Sequence, residues 1–442
     1  MDMALVSLIG IVASVAVYIW FIFAGMNVWL LSTVASVIVC VLSGADVVKA
    51  MMGPYMTGFS GFIKSYFLLF ITSAVLGRLV SDAGIAYSLG NKLANVARKS
   101  GKNQIFLATL VGPILNCLLT LSGVSLFVVV FTMVFILRDL YKELNIPWQF
   151  YAFGVFGTST ITLGMMPGSP QFQNLIPMKY FGTTPMAAPN LGFAMAILMT
   201  ILGLAYMKYA VARALRKGDG YMTLGKDFEA YVQASGQGQN TDRKTHPVWK
   251  CILPLCIPFI MMNGFKQDPV VSLTAACIVV FLMFRKDLPN IKKALNEGLA
   301  GGFVPALSVA AATGFGAVVA TMPGFKLMVD SIALIPGPPV LQLVIAVAVA
   351  GGITGSASAG QTIALNALAK QYIPMVDAEV AHRLTACASF GSFVPHNGGI
   401  FGTLSIIRVS HKDIYYHYLI LGGIIPGIVT MFGVFLAGLG VK

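Results

Sequence analysis

Phe156-Gly-Thr-Ser-Thr-Ile-Thr-Leu-Gly-Met-Met-Pro-Gly-Ser-Pro-Gln-Phe-Gln-Asn174 begins as an apolar helix and then cannot continue as one. Pro167, Gly168 and Pro170 interrupt the backbone, and Ser169, Gln171, Gln173 and Asn174 bring polar side chains where a membrane helix would stay apolar. An opened helix in hydrocarbon leaves N–H and C=O groups that cost several kcal/mol each unless something satisfies them. Such a break therefore lies in a cavity or inside protein. The same figure returns at Phe390-Gly-Ser-Phe-Val-Pro-His-Asn-Gly-Gly-Ile-Phe-Gly-Thr403. Interrupted apolar segments in matching positions of two halves point to a binding site at the membrane midplane.

Composition supports the membrane reading. Of 442 residues, 57% are hydrophobic and 10% charged, against roughly 25% charged in soluble domains. The net charge of +13 reads as the basic bias of cytoplasmic loops, not as a nucleic-acid surface. No basic stretch precedes the first apolar run, Leu5 to Phe23, which reads as an uncleaved span. Cys40, Cys117, Cys251, Cys256, Cys277 and Cys387 have no metal-ligand spacing and read as small hydrophobes. No metal or cofactor is expected.

Working outward, apolar runs of spanning length fall at 5–23, 27–43 and 62–80, and the segment 44–61 looks too polar to span. Residues 104–137 are apolar but hold Asn116, Ser122, Gly123 and Ser125 near their middle. They read as a re-entrant hairpin with its tip at Leu121–Ser125, a pair of tight full spans being the alternative. The broken helix 148–181 and a run at 190–207 follow. Residues 208–249 are hydrophilic and read as a flexible cytoplasmic linker, with a regulatory segment as the alternative. The second half repeats the plan: spans at 250–264 and 269–284, a basic amphipathic segment at 286–299, a span at 300–321, a hairpin at 339–368, a broken helix at 383–407 and a last run at 415–440. The expected fold is thus an all-α polytopic membrane protein. It has two inverted-topology repeats, 1–207 and 250–442, each with a re-entrant hairpin and a broken transmembrane helix. With the linker in the cytoplasm and both termini outside, 21 of the 29 Lys and Arg fall inside and eight outside, as the positive-inside bias requires.

The tips and breaks would bring together Asn116, Ser122, Gly123, Ser125, Thr158, Ser159, Thr160, Gly168, Ser169, Gln171, Gln173, Asn174, Thr354, Gly355, Ser356, Ser358, Gln361, Thr362, His396, Asn397 and Gly398. Neutral donors and helix N-termini suit an anion and would bind carboxylate without a buried arginine. Sodium remains open, because carbonyls and hydroxyls can coordinate it. His396 is a candidate proton carrier; donating one structural or substrate hydrogen bond is its alternative. Asp82 is the other proton-coupling candidate, and a helix-end ion pair with Arg78 is its alternative. Arg383 reads as an interface anchor at the outer end of the second broken helix. Ser356→Ala and Asn397→Ala are expected to weaken substrate binding with the fold intact.

The chain resembles the GntP family of gluconate-type permeases, in the ion transporter superfamily. The resemblance rests on Gly77-Arg-Leu-Val-Ser-Asp-Ala-Gly84, Pro167-Gly-Ser-Pro-Gln171, Gly355-Ser-Ala357 and Val394-Pro-His-Asn397. It implies proton-coupled uptake of a small organic acid across a bacterial inner membrane. It also implies a homodimer whose transport domain, carrying hairpins and breaks, moves as an elevator against a fixed scaffold. The sequence departs from sugar-acid members at Pro395-His-Asn-Gly-Gly399, which carries no acid, and at Met165-Met-Pro167, which carries no histidine. A short-chain or hydroxy monocarboxylate is therefore as compatible as gluconate, and sodium coupling or exchange on the same fold is the alternative mechanism. A passive channel or membrane-embedded enzyme is a third reading; an enzyme would need a paired nucleophile and base or a metal cluster.

Overall fold

The computed structural model describes residues 3–23, 26, 28–124, 126–155, 160–235, 245–395 and 397–442. The described residues are helical with no strand. Five helices are long and apolar enough to cross a membrane, and further apolar helices of 10–17 residues stand beside them.

Helices α1 (Met3–Phe23) and α2 (Val28–Leu42) pair through small polar residues. Ser7, Ser14, Ser32 and Ser36 are fully buried, and the Ser7 and Ser43 hydroxyls meet at 2.9 Å. In lipid, small residues of this kind let helix backbones approach. The next helix, α3 (Val47–Asp82), is 36 residues long. It takes in most of the 44–61 segment that looked too polar to span. Asp46 caps its first turn by accepting from the Lys49 N–H, and a wider π-type turn at Met51–Tyr55 accommodates Pro54. Gly58 is a packing residue there, since a Cβ on it would lie 2.9 Å from the Thr313 carbonyl.

That carbonyl belongs to α14 (Ile291–Ala320) of the second half. Here too an expected division, an amphipathic arm at 286–299 and then a span, is one unbroken helix. Asn290 caps it by accepting from the Lys293 N–H at 2.9 Å, and Gly298 and Gly302 seat it on the backbone of Val75 and Ile71. Arg78 binds both Asp82 (2.9 Å) and Glu297 (2.7 Å), tying the polar ends of the two long helices together. The amphipathic helices come after the long ones: α4 (Ile85–Arg98) after α3, and α15 (Pro323–Ala333) after α14.

Two helical hairpins follow. In the first, α5 (Gln104–Leu121) and α6 (Leu126–Glu143) meet at Ser122–Val124. Each arm has 18 residues, or about 27 Å of helix. The second joins α16 (Pro339–Thr354) to α17 (Ala357–Tyr372) through Gly355 and Ser356. Gly355 has φ +60°, left-handed backbone that glycine adopts without strain.

Each hairpin leads into an interrupted segment. The first holds a helical turn at Trp148–Phe150, α7 (Tyr151–Val155), a π-type turn at Ile161–Met165, an extended stretch, and the short helices α8 (Phe172–Leu175) and α9 (Met178–Phe181). The long α10 (Pro189–Arg216) follows. After α12 (Val248–Asn263), α13 (Pro269–Phe284), α14, α15 and the second hairpin comes the other interrupted segment. There α18 (Ala378–Cys387) runs into a 3-10 turn at Ala388–Ser392, the backbone opens, and α19 (Gly398–Ile407) resumes. The last helix, α20, spans His411–Gly438.

In the hydrophilic stretch 208–249, read from the sequence as a flexible linker, most of the described residues are helical. Residues 236–244 lie outside the described residues, but α10 extends to Arg216 and a further helix, α11, covers Tyr221–Ser235. Glu229 of α11, 4% exposed, accepts from Arg138 Nε (2.7 Å) and Nη2 (2.8 Å), Lys142 Nζ (2.7 Å) and the Tyr221 hydroxyl (2.8 Å). Phe228 stacks on Trp148 at 5.0 Å, and Tyr231 lies under the Arg408 guanidinium at 4.2 Å. The helix thus bridges the first hairpin, the start of the first interrupted segment and the end of α19.

The Arg138 hydrogen bond, helped by Lys142 and Tyr221, holds the Glu229 carboxyl at about 2, below its ordinary 4.5. A depressed carboxyl pKa contributes stability that is complete above the unfolded value and disappears as pH falls through the folded one. Wild type is therefore expected to lose this contribution between pH ~4.5 and ~2. Glu229→Gln is expected to lose about 1–3 kcal/mol at neutral pH. Melting of both proteins across that window checks this: the gap between them should close toward pH 2.

Candidate functional site

The first break is the better connected. Met166 leaves the helical region (ψ 119°), and Gly168, at φ +76°, turns the chain. Ser169, fully buried, closes the turn by donating its hydroxyl to the Thr162 carbonyl. Gln171, 3% exposed, donates from Nε2 to the Thr120 carbonyl (2.6 Å) and the Val124 carbonyl (3.2 Å), so its amide holds the first hairpin tip. Thr120 adds a hydroxyl contact to Thr162 at 2.8 Å. Buried Asn116 lies one turn earlier, its carbonyl accepting from the Thr120 hydroxyl. Ser122, also buried, donates back to the Leu118 carbonyl.

Gln173 and Asn174 face other neighbours. Gln173 Nε2 reaches the Ser358 hydroxyl at 3.4 Å, and Gln361 Nε2 donates to the Gln173 carbonyl at 2.9 Å. These bonds clamp α8 to α17 of the second hairpin. Gln173 Oε1, Gln361 Oε1 and Thr160 Oγ1 are buried with no hydrogen-bond partner among the described residues. A buried polar atom without a partner costs about 1–3 kcal/mol, so these oxygens would be satisfied by a donor or a cation.

Asn174 leads to a centre that was not expected from the sequence. Its Nδ2 donates to the Ser169 carbonyl (2.8 Å) and the Pro185 carbonyl (3.0 Å), while Oδ1 accepts from Arg383 Nη1 at 2.7 Å. Arg383 is fully buried. It also donates to the carbonyls of Gly164 (2.9 Å), Pro185 (3.0 Å) and Ala187 (3.0 and 2.8 Å). All five guanidinium N–H groups are used and every partner is neutral. Expected as an interface anchor at the outer end of the second broken helix, Arg383 instead lies inside the protein. The polar centre is thus not free of buried arginine. The helix carrying it begins at Ala378, not at 383.

His382, also fully buried, bridges the Thr183 hydroxyl (2.6 Å) and Asn174 Oδ1 (3.2 Å), and Glu379 accepts from the Ala188 N–H. One signal could have flagged this group. Ionisable residues inside a membrane protein are expensive and mark function or a specific partner, and His382-Arg383 stands in the helix that leads into the second break.

In the second break, Asn397 is committed to its own backbone. Its Nδ2 donates to the Ser392 carbonyl at 2.8 Å, and its Oδ1 caps α19 by accepting from the Ile400 N–H at 3.0 Å. Asn174 makes the same bond to a serine carbonyl five residues earlier. Asn397→Ala therefore costs folding energy, contrary to the expectation of a pure binding effect. Gly398 opens α19. Ser356 caps α17 weakly, accepting from the Ala359 N–H at 3.4 Å. Buried Thr354 donates to the Ala350 carbonyl at 2.9 Å, and Thr362 to the Ser358 carbonyl. Ser125, Thr158, Ser159 and His396 lie outside the described residues. Asp82 is engaged by Arg78 away from the breaks.

Helices α3 and α12 also contact this assembly. The Ser73 hydroxyl of α3 donates to the Gly123 carbonyl at 2.7 Å, Asn263 of α12 donates to the Gly168 carbonyl at 3.0 Å, and Phe70 stacks on Phe172 at 3.9 Å.

No protein-family model matches the chain. It is 28% identical over 449 aligned positions to an uncharacterized transporter of Bacillus subtilis, YxjC, which covers 92% of this chain and 94% of the relative.

Proposed function

We propose that this protein is a secondary active transporter that imports a small organic monocarboxylate by proton symport. The observation that carries the reading is the buried opening of the backbone at 166–171. It is cross-linked by Gln171 to the first hairpin tip and by Gln173 and Gln361 to the second hairpin. Unwound backbone deep in an apolar protein is tolerated where it lines a cavity. The Arg383 guanidinium beside it, with no carboxylate hydrogen-bonded to it, raises the local positive potential and favours an anion. The relative named a transporter supports transport as the general activity.

The order of elements supports a reading as two inverted repeats of five crossings each, with hairpins and breaks forming a transport domain that moves as an elevator against α3, α12, α13 and α14. A GntP-type homodimer in a bacterial inner membrane, with both termini outside, belongs to the same proposal. The orphaned oxygens of Gln173 and Gln361 favour one second reading, coupling to sodium, which carbonyl-type oxygens coordinate.

Proteoliposomes test both. Uptake of labelled short-chain and hydroxy monocarboxylates should rise under an inward proton gradient and collapse with a protonophore. Replacing sodium by choline at fixed pH should leave it unchanged; dependence on sodium would select the second reading. Absence of gradient-driven uptake for every acid tried would overturn the proposal.

A further inference from the structure

A cavity of about 410 Å³ opens between the end of α10 and the start of α20. Tyr206, Ala210, Arg213 and Lys217 recur at helical spacing, so they share the face of α10 that fronts it. The small side chains of Ala210 and Ala214 leave room there, and Tyr416, His417 and Ile420 of α20 close the far side. Arg213 and Lys217 stand one turn apart, both exposed and neither in a salt bridge among the described residues. Like charges at this spacing repel, and an anion between them removes that cost. Asp219, the one carboxylate of the wall, pairs with neither.

His417 supplies an independent observation. It is 1% exposed, Phe150 and Phe153 pack edge-on to its ring, and Nδ1 meets the Tyr206 hydroxyl at 2.9 Å. Nε2 is buried with no hydrogen-bond partner among the described residues. Where Tyr206 donates to Nδ1, Nε2–H is a buried donor awaiting an acceptor; where Nδ1–H donates to Tyr206, the tyrosine keeps its own O–H to give. Either tautomer leaves one neutral donor in the wall with the two cations. The apolar exposed residues of α10, Ile197, Ile201 and Leu204, lie on the opposite face of the helix from Tyr206 and Arg213. The cavity therefore has no acyl-chain track leading from it, and its occupant comes from solution.

The geometry points to a binding site for a soluble dianion of the phosphate class, held by Arg213 and Lys217 with a further hydrogen bond from Tyr206 or His417. Cavities of ~300–1,000 Å³ hold small organic molecules, so a phosphate monoester fits as well as the bare ion. Gln149, in the turn that opens the first interrupted segment, also lines the wall. An occupant thus touches α10, α20 and that segment together. The inference is independent of which solute is transported.

Isothermal titration calorimetry of the purified full chain with inorganic phosphate and with phenyl phosphate, at fixed ionic strength, tests it. Each should bind saturably at one site per chain, and chloride should not. Arg213→Gln/Lys217→Gln should weaken binding at least about tenfold, and Asp219→Asn should tighten it. Both cations are exposed, so the double variant should melt as wild type does. Lys99→Gln/Lys102→Gln, which removes two exposed cations elsewhere, should bind as wild type does. No saturable binding, or binding unaffected by the Arg213/Lys217 double variant, would overturn the site. Phosphate binding abolished by phosphatidylglycerol in the micelles, but not by phosphatidylcholine, would assign the site to a lipid headgroup and overturn the soluble ligand.

Discussion

Replacing Arg383 with methionine is expected to leave little folded protein. The substitution keeps most of the volume but removes at once the five guanidinium hydrogen bonds to the Gly164, Pro185 and Ala187 carbonyls and Asn174 Oδ1. Each buried acceptor left without a donor costs about 1–3 kcal/mol, and more than one such loss is a large part of the ~5–15 kcal/mol that holds a typical domain. Arg383→Lys should be intermediate: an ammonium keeps the charge but lacks the planar fork that serves four separate acceptors. The monodisperse fraction after detergent extraction, with its melting temperature, reads the effect. A methionine variant that melts like wild type would remove Arg383 as the organiser of the first break. If that protein also failed to transport, Arg383 would instead be a substrate ligand.

Gly391→Ala should produce the next largest loss. Gly391 lies where the 3-10 turn before the second break crosses α16 of the second hairpin, and a Cβ there would sit 2.1 Å from the Ala348 carbonyl oxygen. The obstacle is backbone and cannot rotate away. The cost should therefore reach or exceed the upper end of the ~1–3 kcal/mol typical of overpacking, and hairpin and break would separate. Gly402→Ala, four residues into α19 with open space around it, is the control. It should be neutral or slightly stabilising, since alanine favours helix over glycine. Similar melting of both variants would refute the tight crossing.

Much of the architecture was legible in the primary structure because its signals are local. Pro167, Gly168 and Pro170 cannot continue a helix, and the opened backbone does fall at 166–171. Leu121–Val124 and Gly355–Ser356 do turn the chain between helices. One failure was a local cap and turn not recognised as helical; the others came from polar residues whose partners are remote in sequence. Asp46, Lys49 and Pro54 made 44–61 look unable to span, yet a cap and a π-type turn absorb them. Glu229 looked like one more charge in a hydrophilic linker, yet Arg138 and Lys142, about ninety residues earlier, pin it. Arg383 looked like an interface anchor, because the carbonyls that solvate it lie some two hundred residues away.

The sequence by itself determined the environment, the helical class, the positions of the breaks and the neutral chemistry of the tips, since composition, hydrophobic run length and proline are properties of short stretches. Only the tertiary structure decided which groups meet: Asn174 with Arg383 and His382, Gln173 with Gln361, and α11 with the first hairpin. The physical reason is desolvation. A buried polar atom must find a partner somewhere, but the chain's path, not the neighbouring residues, settles which partner it finds.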